Sequence, residues 1–488
     1  MTTRVCVAIR ESTTAGAVAS IARAVKWADL VEVRADYIRD LDVQYLLHSK
    51  PCPIIVTLRS PGEGGAFLGS EKSRLELIIQ AFRAGADYVD VEFSASWQTV
   101  MKSVPRENII LSHHNFQETP SDLVPRVERM ASAGAAIIKI ATRARRITDN
   151  LTIAHALQYA SLRHMNLCAL AMENEGIPSR ILASRWNSWM TFASLPSGEA
   201  TAEGQIPAAD LVHQYRVRSI GAETKFYGVL GKPLGHSLSP VVHNSAFAAR
   251  GIDAVYLPLE AVDVDDFMEF ESAVPLQGVS VTIPYKEDVR KCTQSLSNEA
   301  GKIGSINTLI RTGNGWHGEN TDVDGFLRPL QKRIKLKGLR AVVLGAGGAA
   351  RAICHGLVSQ GASVCVVSRN SHKAKHLAEN FDVDFVDWDQ LHSLRWNILI
   401  NATPVGMFPK IDESPVPAEW LSGEWVYDLV YNPCETRLLR EASVRGLRTI
   451  SGEEMFLAQA IRQQELWCGP PVPQQAMQNA YRAAMMRD

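Results

Sequence analysis

The sequence predicts an α/β protein in three parts. These are an N-terminal (β/α)8 barrel of the TIM type, a smaller α/β domain, and a Rossmann-type dinucleotide domain. Eight short apolar runs alternate with helical patterns up to about residue 200. A second strand-then-helix series restarts after a short, partly basic segment. Within that series an apolar strand runs directly into a glycine-rich turn that opens a helix.

The eight runs are Val5–Ile9, Leu30–Val33, Ile54–Leu58, Tyr88–Val91, Ile109–Leu111, Ile137–Ile140, Leu167–Ala171 and Trp189–Ala193. Ser73–Arg83 and Val124–Ala133 are the clearest helices between them. Buried strands alternating with helices imply a parallel sheet. Eight such units suit a barrel at the compact end of its size range, and an open doubly wound sheet is the alternative this spacing leaves. Charge returns at Arg10 and Glu11, so the first run reads as a strand and not as a signal peptide.

A chain of 488 residues carries two or three domains. Its 46% hydrophobic and 21% charged residues are those of a globular protein with large cores. A net charge of −1 gives no general attraction to nucleic acid or an anionic membrane, and no run reaches the length of a membrane span. The eight cysteines form no Cys-x-x-Cys pair and no zinc-spaced cluster, so they read as reduced thiols of a cytoplasmic protein without a metal.

Polar residues stand where the strands end. Glu32 and Arg34 lie on the second run, and Arg59 closes the third, leading into Ser60–Gly65 with Glu63. His113, His114 and Asn115 close the fifth. Lys139 sits inside the sixth, Arg180 follows the seventh, and Thr201 and Gln205 follow the eighth. Strand C-termini converge on one face of a barrel, where such folds build their chemistry. Taken singly, a histidine is usually a hydrogen-bonded structural residue and an arginine a solvated end. Lys139 differs, because Ala136–Ala141 should be buried. Desolvation is expected to lower its pKa toward that of a usable amine nucleophile, and a barrel lysine points to an imine with a ketone.

The segments Glu32-Val33-Arg34, Thr57-Leu58-Arg59 with Glu63-Gly64-Gly65, Ser112–Phe116, Lys139-Ile140-Ala141, Ser179-Arg180 and Gly204-Gln205-Ile206 resemble type I 3-dehydroquinate dehydratase, in the family's order. The resemblance implies a metal-free Schiff-base dehydration of 3-dehydroquinate. Lys139 then forms the imine with the C3 ketone. His114 takes the C2 proton and later helps the C1 hydroxyl leave. Arg180 holds the carboxylate, while Glu32, Arg34, Arg59, Glu63, Thr201 and Gln205 orient the ring. Two positions depart from the family: Asn115 stands where Asp is usual, and Thr201 where Ser is usual. Asn115 is expected to orient the imidazole still. Strand alternation places His113 and His114 on opposite faces.

The second series begins at Phe226. Its small hydroxyls (Ser237, Ser239, Thr282), the Asn307 amide, Lys286 and Asp322 all lie on loops that end strands. Such donors suit a polyhydroxylated acid, and a lysine–aspartate pair can relay a proton to a developing alkoxide. In the glycine-rich turn Gly345, Ala346, Gly347, Gly348 and Ala349 would let backbone approach a pyrophosphate at a helix N-terminus. The next strand ends in Ser368 and Arg369, with Lys373 close by, where an NAD site would place an acid. Those cations suit the 2′-phosphate of NADP.

These segments, with Asn320-Thr321-Asp322, Asn401–Met407, Tyr427–Tyr431 and Gly452–Gln459, resemble shikimate dehydrogenase from about residue 225 to about residue 470. The resemblance implies Lys286 and Asp322 as the catalytic pair. It places Ser237, Ser239, Thr282, Asn307, Tyr431 and Gln459 on the substrate, and Leu429 and Gly452 with the glycine-rich turn on NADP. The expected domains are 1–213, 222–324, 325–452 and 453–488, the last returning to the substrate domain.

The two halves together imply consecutive steps: dehydration to 3-dehydroshikimate, then reduction to shikimate by NADPH. The expected partners are these small molecules, with no nucleic acid and no membrane, and the sequence does not reveal the oligomeric state. Two alternatives stay open on sequence. One is a dehydrogenase that also takes quinate; the other is a ligand-binding descendant with a decayed site.

Overall fold

The computed structural model describes residues 3–195, 204–235 and 237–486. By compactness the chain falls into two units. One comprises Met1–Lys225 with Leu257–Pro275, the other Phe226–Tyr256 with Leu276–Asp488.

The first unit is built on parallel strands β1 (Arg4–Ile9), β2 (Leu30–Arg34), β3 (Ile54–Thr57), β4 (Tyr88–Glu92), β5 (Ile109–Asn115), β6 (Ile137–Arg143), β7 (Asn166–Met172), β8 (Met190–Ser194) and the short β9 (Ile206–Pro207). Their order is β7-β6-β5-β4-β3-β2-β1-β8-β9. This is the cyclic order of the expected barrel, with a seam between β7 and β8. There the strands are joined by a hydrogen bond from Trp189 N to Leu167 O (2.8 Å) and by Cys168 Sγ on Met190 O (3.2 Å), without a ladder. Beyond β9, the short, partly basic segment forms a π-turn, Asp210–Gln214, and a 3-10 turn, Val217–Ser219.

Strand alternation sends every second side chain inward, and alternate strands of a barrel share a layer. Leu30, Tyr88, Ile137 and Met190, from the even strands, lie in one inner apolar cluster. Two residues further toward the strand ends come Glu32, Asp90, Lys139 and Phe192, again one from each even strand. The polar layer of the site is therefore the next layer of the core. The outward faces of β5, β6 and β7 pack on the flanking helices through Leu111, Ile138, Ile140, Leu167 and Ala169.

Two further sheets follow along the chain. One has the order β11-β10-β12-β14-β15-β13, from β10 (Lys225–Gly231), β11 (Ala254–Glu260), β12 (Leu276–Val281), β13 (Thr293–Leu296), β14 (Thr308–Thr312) and β15 (Gly315–Glu319). The other is wholly parallel, with the order β18-β17-β16-β19-β20-β21. It comprises β16 (Arg340–Leu344), β17 (Ser363–Val367), β18 (Asp384–Val386), β19 (Ile398–Asn401), β20 (Trp425–Asp428) and β21 (Arg448–Ile450). That is the 3-2-1-4-5-6 order of a doubly wound dinucleotide fold, whose crevice opens at the end of its first strand, here β16. The helix Gly452–Cys468 returns to the other sheet: Trp467 Nε1 donates to Leu309 O (3.1 Å), and Gln463 Nε2 to Thr308 Oγ1 (2.9 Å). Among the described residues no helix is long and apolar enough to cross a membrane.

Candidate active sites

At the first site, β6 carries Lys139 into the barrel, 5% exposed. Its Nζ donates to Glu32 Oε1 (2.8 Å) and Asp90 Oδ2 (3.1 Å), and lies 4.3 Å from the centre of the Phe192 ring. Arg59 reaches Asp90 Oδ1 (2.9 Å) and Ser112 Oγ (2.8 Å); Ser112 Oγ in turn donates to Asp90 (2.6 Å) and Thr57 Oγ1 to Glu32 (2.8 Å).

This geometry corrects the expectation for Lys139. Burial pushes its pKa down, but the Asp90 and Glu32 carboxylates outweigh burial, and the ammonium form is held above the ordinary lysine value. Asp90 is likewise ionised. Burial works against its charge, but Arg59 and Lys139 hold it well below the usual carboxylate range.

His114 behaves in the opposite way. Burial, then the charges of Arg59 and Lys139, push it well below the ordinary histidine value, so the imidazole is held neutral. Its Nδ1 lies 3.0 Å from Glu63 Oε2, and its backbone N–H donates to the same oxygen (3.2 Å). Ser94 Oγ donates to the other oxygen of Glu63, whose pKa burial raises. Glu63 therefore orients the imidazole, where Asn115 was expected to. Asn115 Oδ1 instead accepts from Gln117 N (2.9 Å) and Glu118 N (3.2 Å) and caps the following turn. His113 faces the other side of β5. It is pushed down to about 4 by burial, with Arg126 and Arg129 nearby.

Arg34 makes a bidentate pair with Asp36 (2.9 and 2.8 Å) and donates to Gly64 O (3.3 Å) through Nε and Nη2. This fixes the loop that carries Glu63. Arg180 is 1% exposed on the short helix Ile177–Ile181. Only its Nη1 finds a protein acceptor, Phe192 O at 3.4 Å. Nε and Nη2 are buried without a partner among the described residues, and burial lowers the pKa to about 10. A buried guanidinium edge without an acceptor is costly unless an anion completes it. Gln205 is half-buried; Thr201 lies outside the described residues.

At the second site, Lys286 Nζ donates to Asp322 Oδ2 (2.5 Å). Asn307 Nδ2 donates to Asp322 Oδ1 (2.7 Å) and to Thr321 Oγ1 (2.9 Å), which fixes the carboxylate at the start of the helix Asp322–Gln331. Ser237 and Ser239 begin the helix Ser239–Ala249; Ser237 is half-buried and Ser239 buried. Thr282 is half-buried beyond β12, and its N–H donates to Leu230 O (2.9 Å). Tyr431 stacks on Phe456, with ring centres 4.5 Å apart. Gln459, half-buried on the same helix as Phe456, donates to that residue's carbonyl (3.0 Å).

The glycine-rich turn fits a dinucleotide. Gly345 has φ +112° and makes the left-handed turn out of β16. At Gly347, which precedes the helix Gly348–Ser359, a Cβ would meet nothing within 4 Å, so the approach to the helix N-terminus is open. Ala346 and Ala349 flank it, partly buried. At Gly348 a Cβ would lie 2.9 Å from Ser305 Oγ, so the small residue admits that neighbour. Ser368 is half-buried at the end of β17, Arg369 and Lys373 are exposed, and Leu429 is half-buried after β20. At Gly452 a Cβ would stand 2.4 Å from Val430 O, so only glycine lets this helix start against that strand end.

Sequence reasoning gave no role to Asp90, Ser94 or Gln463, and quoted Ser112 only as part of a motif. An acid inside Tyr88-Val89-Asp90-Val91 was a usable signal, since a buried carboxylate needs a partner. Gln463, which accepts from Ser280 Oγ (2.8 Å) and donates to Asn307 O (3.2 Å), carried no such signal in a polar helix stretch.

A lysine barrel with a neutral histidine beside it, joined in one chain to a dinucleotide fold with a lysine–aspartate pair, defines a fused lyase and oxidoreductase. The comparisons with known proteins agree. Residues 5–222 match the model of type I 3-dehydroquinase, residues 229–309 that of the shikimate dehydrogenase substrate-binding domain, and residues 329–405 that of shikimate / quinate 5-dehydrogenase. The bifunctional 3-dehydroquinate dehydratase/shikimate dehydrogenase of Arabidopsis thaliana, a chloroplastic protein, is 35% identical over 478 residues, covering 92% of this chain and 79% of its own. The shikimate dehydrogenase (NADP(+)) of Microcystis aeruginosa is 40% identical, covering 54% of this chain and 97% of its own. A crystal structure of a shikimate dehydrogenase in complex with NADP+ superposes with a TM-score of 0.52 at 34% identity, covering 55% of this chain and 97% of its own. The chain belongs to the family of bifunctional 3-dehydroquinate dehydratase/shikimate dehydrogenases, which unites a Schiff-base lyase with an NADP-dependent oxidoreductase.

Proposed function

We propose that the first site dehydrates 3-dehydroquinate to 3-dehydroshikimate and the second reduces that product to shikimate, with the residues acting as follows. Arg180 receives the substrate carboxylate on its unpartnered Nε and Nη2 edge. Lys139 gives up a proton, its nitrogen adds to the C3 ketone, and water leaves to form the imine. His114, held neutral and oriented by Glu63, takes the C2 proton; the electron pair shifts toward the iminium, and the C1 hydroxyl leaves as water with a proton from His114. A second water then hydrolyses the imine and restores the Lys139 amine. Glu32 and Asp90 stabilise the cationic nitrogen throughout.

At the second site Ser237, Ser239, Thr282, Asn307, Tyr431 and Gln459 hold the acid. Lys286 donates to the ketone oxygen as it becomes an alkoxide, and Asp322 holds the Lys286 ammonium in place through their hydrogen bond. Gly345–Ala349, Ser368, Arg369, Lys373, Leu429 and Gly452 would hold NADPH, which would supply the hydride. We assign 1–213, 222–324, 325–452 and 453–488 as barrel, substrate domain, NADP domain and returning helices. We place the protein in the cytoplasm, a reading supported by its eight unpaired cysteines.

The observation that carries this reading is the buried layer of Glu32, Asp90, Lys139 and Phe192 beside the unpartnered edge of Arg180. Four reactive side chains, Lys139, His114, Lys286 and Asp322, all sit in hydrogen-bonded geometry, which favours two working sites over a decayed one. The test is a coupled assay. Purified protein given 3-dehydroquinate and NADPH should consume NADPH without any added enzyme, and no consumption overturns the reading.

A further inference from the structure

Residues 257–275 follow the linker in sequence, inside the stretch matched by the dehydrogenase substrate-domain model, yet they belong to the first compact unit. Their helix, Val264–Ala273, carries Asp266, which is fully buried. Its carboxylate accepts from Arg146 Nε (3.2 Å), Ile147 N (3.1 Å), Thr148 N (3.2 Å), Thr148 Oγ1 (2.8 Å) and Val262 N (3.0 Å). A buried carboxylate persists only when its lone pairs are filled in this way.

Four of those donors lie on the β6–α loop, the turn directly beyond the strand that carries Lys139. Ile147 and Thr148 immediately precede the helix Asp149–Leu162, and Thr148 is its N-cap residue. Its side chain makes no cap bond to that helix, because it is given to Asp266. Asp266 therefore sets the position of this loop, where a self-contained loop would have used its own cap.

From the loop a buried chain of hydrogen bonds runs to Arg180. Ile147 O accepts from Asn150 Nδ2 (2.7 Å), which also donates to Glu175 O (2.7 Å), and Asn150 Oδ1 accepts from Ser179 N (2.9 Å). Ser179 Oγ accepts from Ala171 N (2.9 Å) and donates to Gly176 O (2.7 Å), locking the short helix to the end of β7. Asp266, Asn150, Ser179 and Arg180 are all nearly inaccessible to water, at 0, 0, 0 and 1% exposure. Each link has one packed arrangement, so a shift at Asp266 is passed on as a displacement.

We infer that Asp266 is a positioning residue for the dehydratase. Through the β6–α loop and Asn150 it places the guanidinium of Arg180 that receives the substrate carboxylate. The proposal rests on the role given to Arg180 above, and its test separates the two. In the full chain, Asp266→Ala should raise KM for 3-dehydroquinate about tenfold while kcat changes less than about threefold, because carboxylate binding is lost and the imine chemistry is not. Asn150→Ala should do the same. In an Arg180→Ala background, Asp266→Ala should add nothing, since residues acting in series are not additive.

Asp266→Asn, which keeps the size and one acceptor oxygen, gives the same reading should Asp266→Ala not fold. An Asp266 variant that lowers kcat with KM unmoved, or that multiplies with Arg180→Ala, overturns the proposal. If Arg180→Ala leaves KM unchanged, the role of Arg180 itself fails and the proposal with it. If Arg180→Ala raises KM and neither Asp266 variant does, the proposal alone fails.

Discussion

Arg369→Ala should weaken NADP far more than NAD. Arg369 stands exposed just beyond the end of β17, and Lys373 is exposed one helical turn further on. No carboxylate is paired with either among the described residues, so both cations are available to a phosphate. A hydrogen bond to a charged group contributes about 1.5–3 kcal/mol, and solvent exposure places this one in the lower half of that range. At about 1.4 kcal/mol per decade, the loss predicts a rise of about 10- to 40-fold in KM for NADP. NAD has no phosphate at that ribose, so its KM should move less than about twofold. Steady-state oxidation of shikimate at fixed pH, with each cofactor varied in turn, measures both. Raising ionic strength from about 0.1 M to about 1 M shortens the Debye length from about 10 to about 3 Å and should narrow the wild-type preference. Equal effects on the two cofactors, or a preference insensitive to salt, would refute the assignment.

Lys139→Ala should abolish dehydration and leave shikimate oxidation within about twofold of wild type. Borohydride added with 3-dehydroquinate should give a covalent adduct in wild type and none in this variant by intact-mass analysis, and an adduct in the variant would show that another amine forms the imine. His243, buried against Tyr256 and Trp467, is pushed down to about 3 by burial, so it is neutral in the folded protein while a free histidine would charge below about 6.5. The unfolded state therefore binds the proton first. Stability is fully present above pH 6.5 and is lost as pH falls toward 3, by about 2 kcal/mol at pH 5. Denaturant unfolding of the second unit should show that slope, and His243→Gln should reduce it; an unchanged slope assigns the acid sensitivity elsewhere.

Much of this protein is a consequence of local sequence. Continuous apolar runs and the helical patterns between them set the eight barrel strands and their helices, because a strand buried on both faces must be an apolar run. Gly345 marks the left-handed turn after β16, a requirement of its own backbone. Lys139 inside an apolar run, and Arg369 where an acid would serve NAD, announce chemistry through residue type and position alone.

What the sequence could not decide depends on which strands come to share a layer. Glu32, Asp90 and Lys139 are far apart in the chain, and only the even-strand register of the curled sheet brings them within hydrogen-bond reach. That contact reverses the sign of the lysine's shift, because two carboxylates about 3 Å away outweigh burial. The histidine's orienting partner is likewise a distant residue, Glu63, because the adjacent Asn115 is consumed by its own turn. Asp266 lies beyond the linker in the chain and inside the first unit in space. Local sequence determined which groups were present and which backbone they needed. Tertiary structure decided which charges became neighbours, and electrostatic effects in a dry core depend on distance in space, which the chain order does not contain.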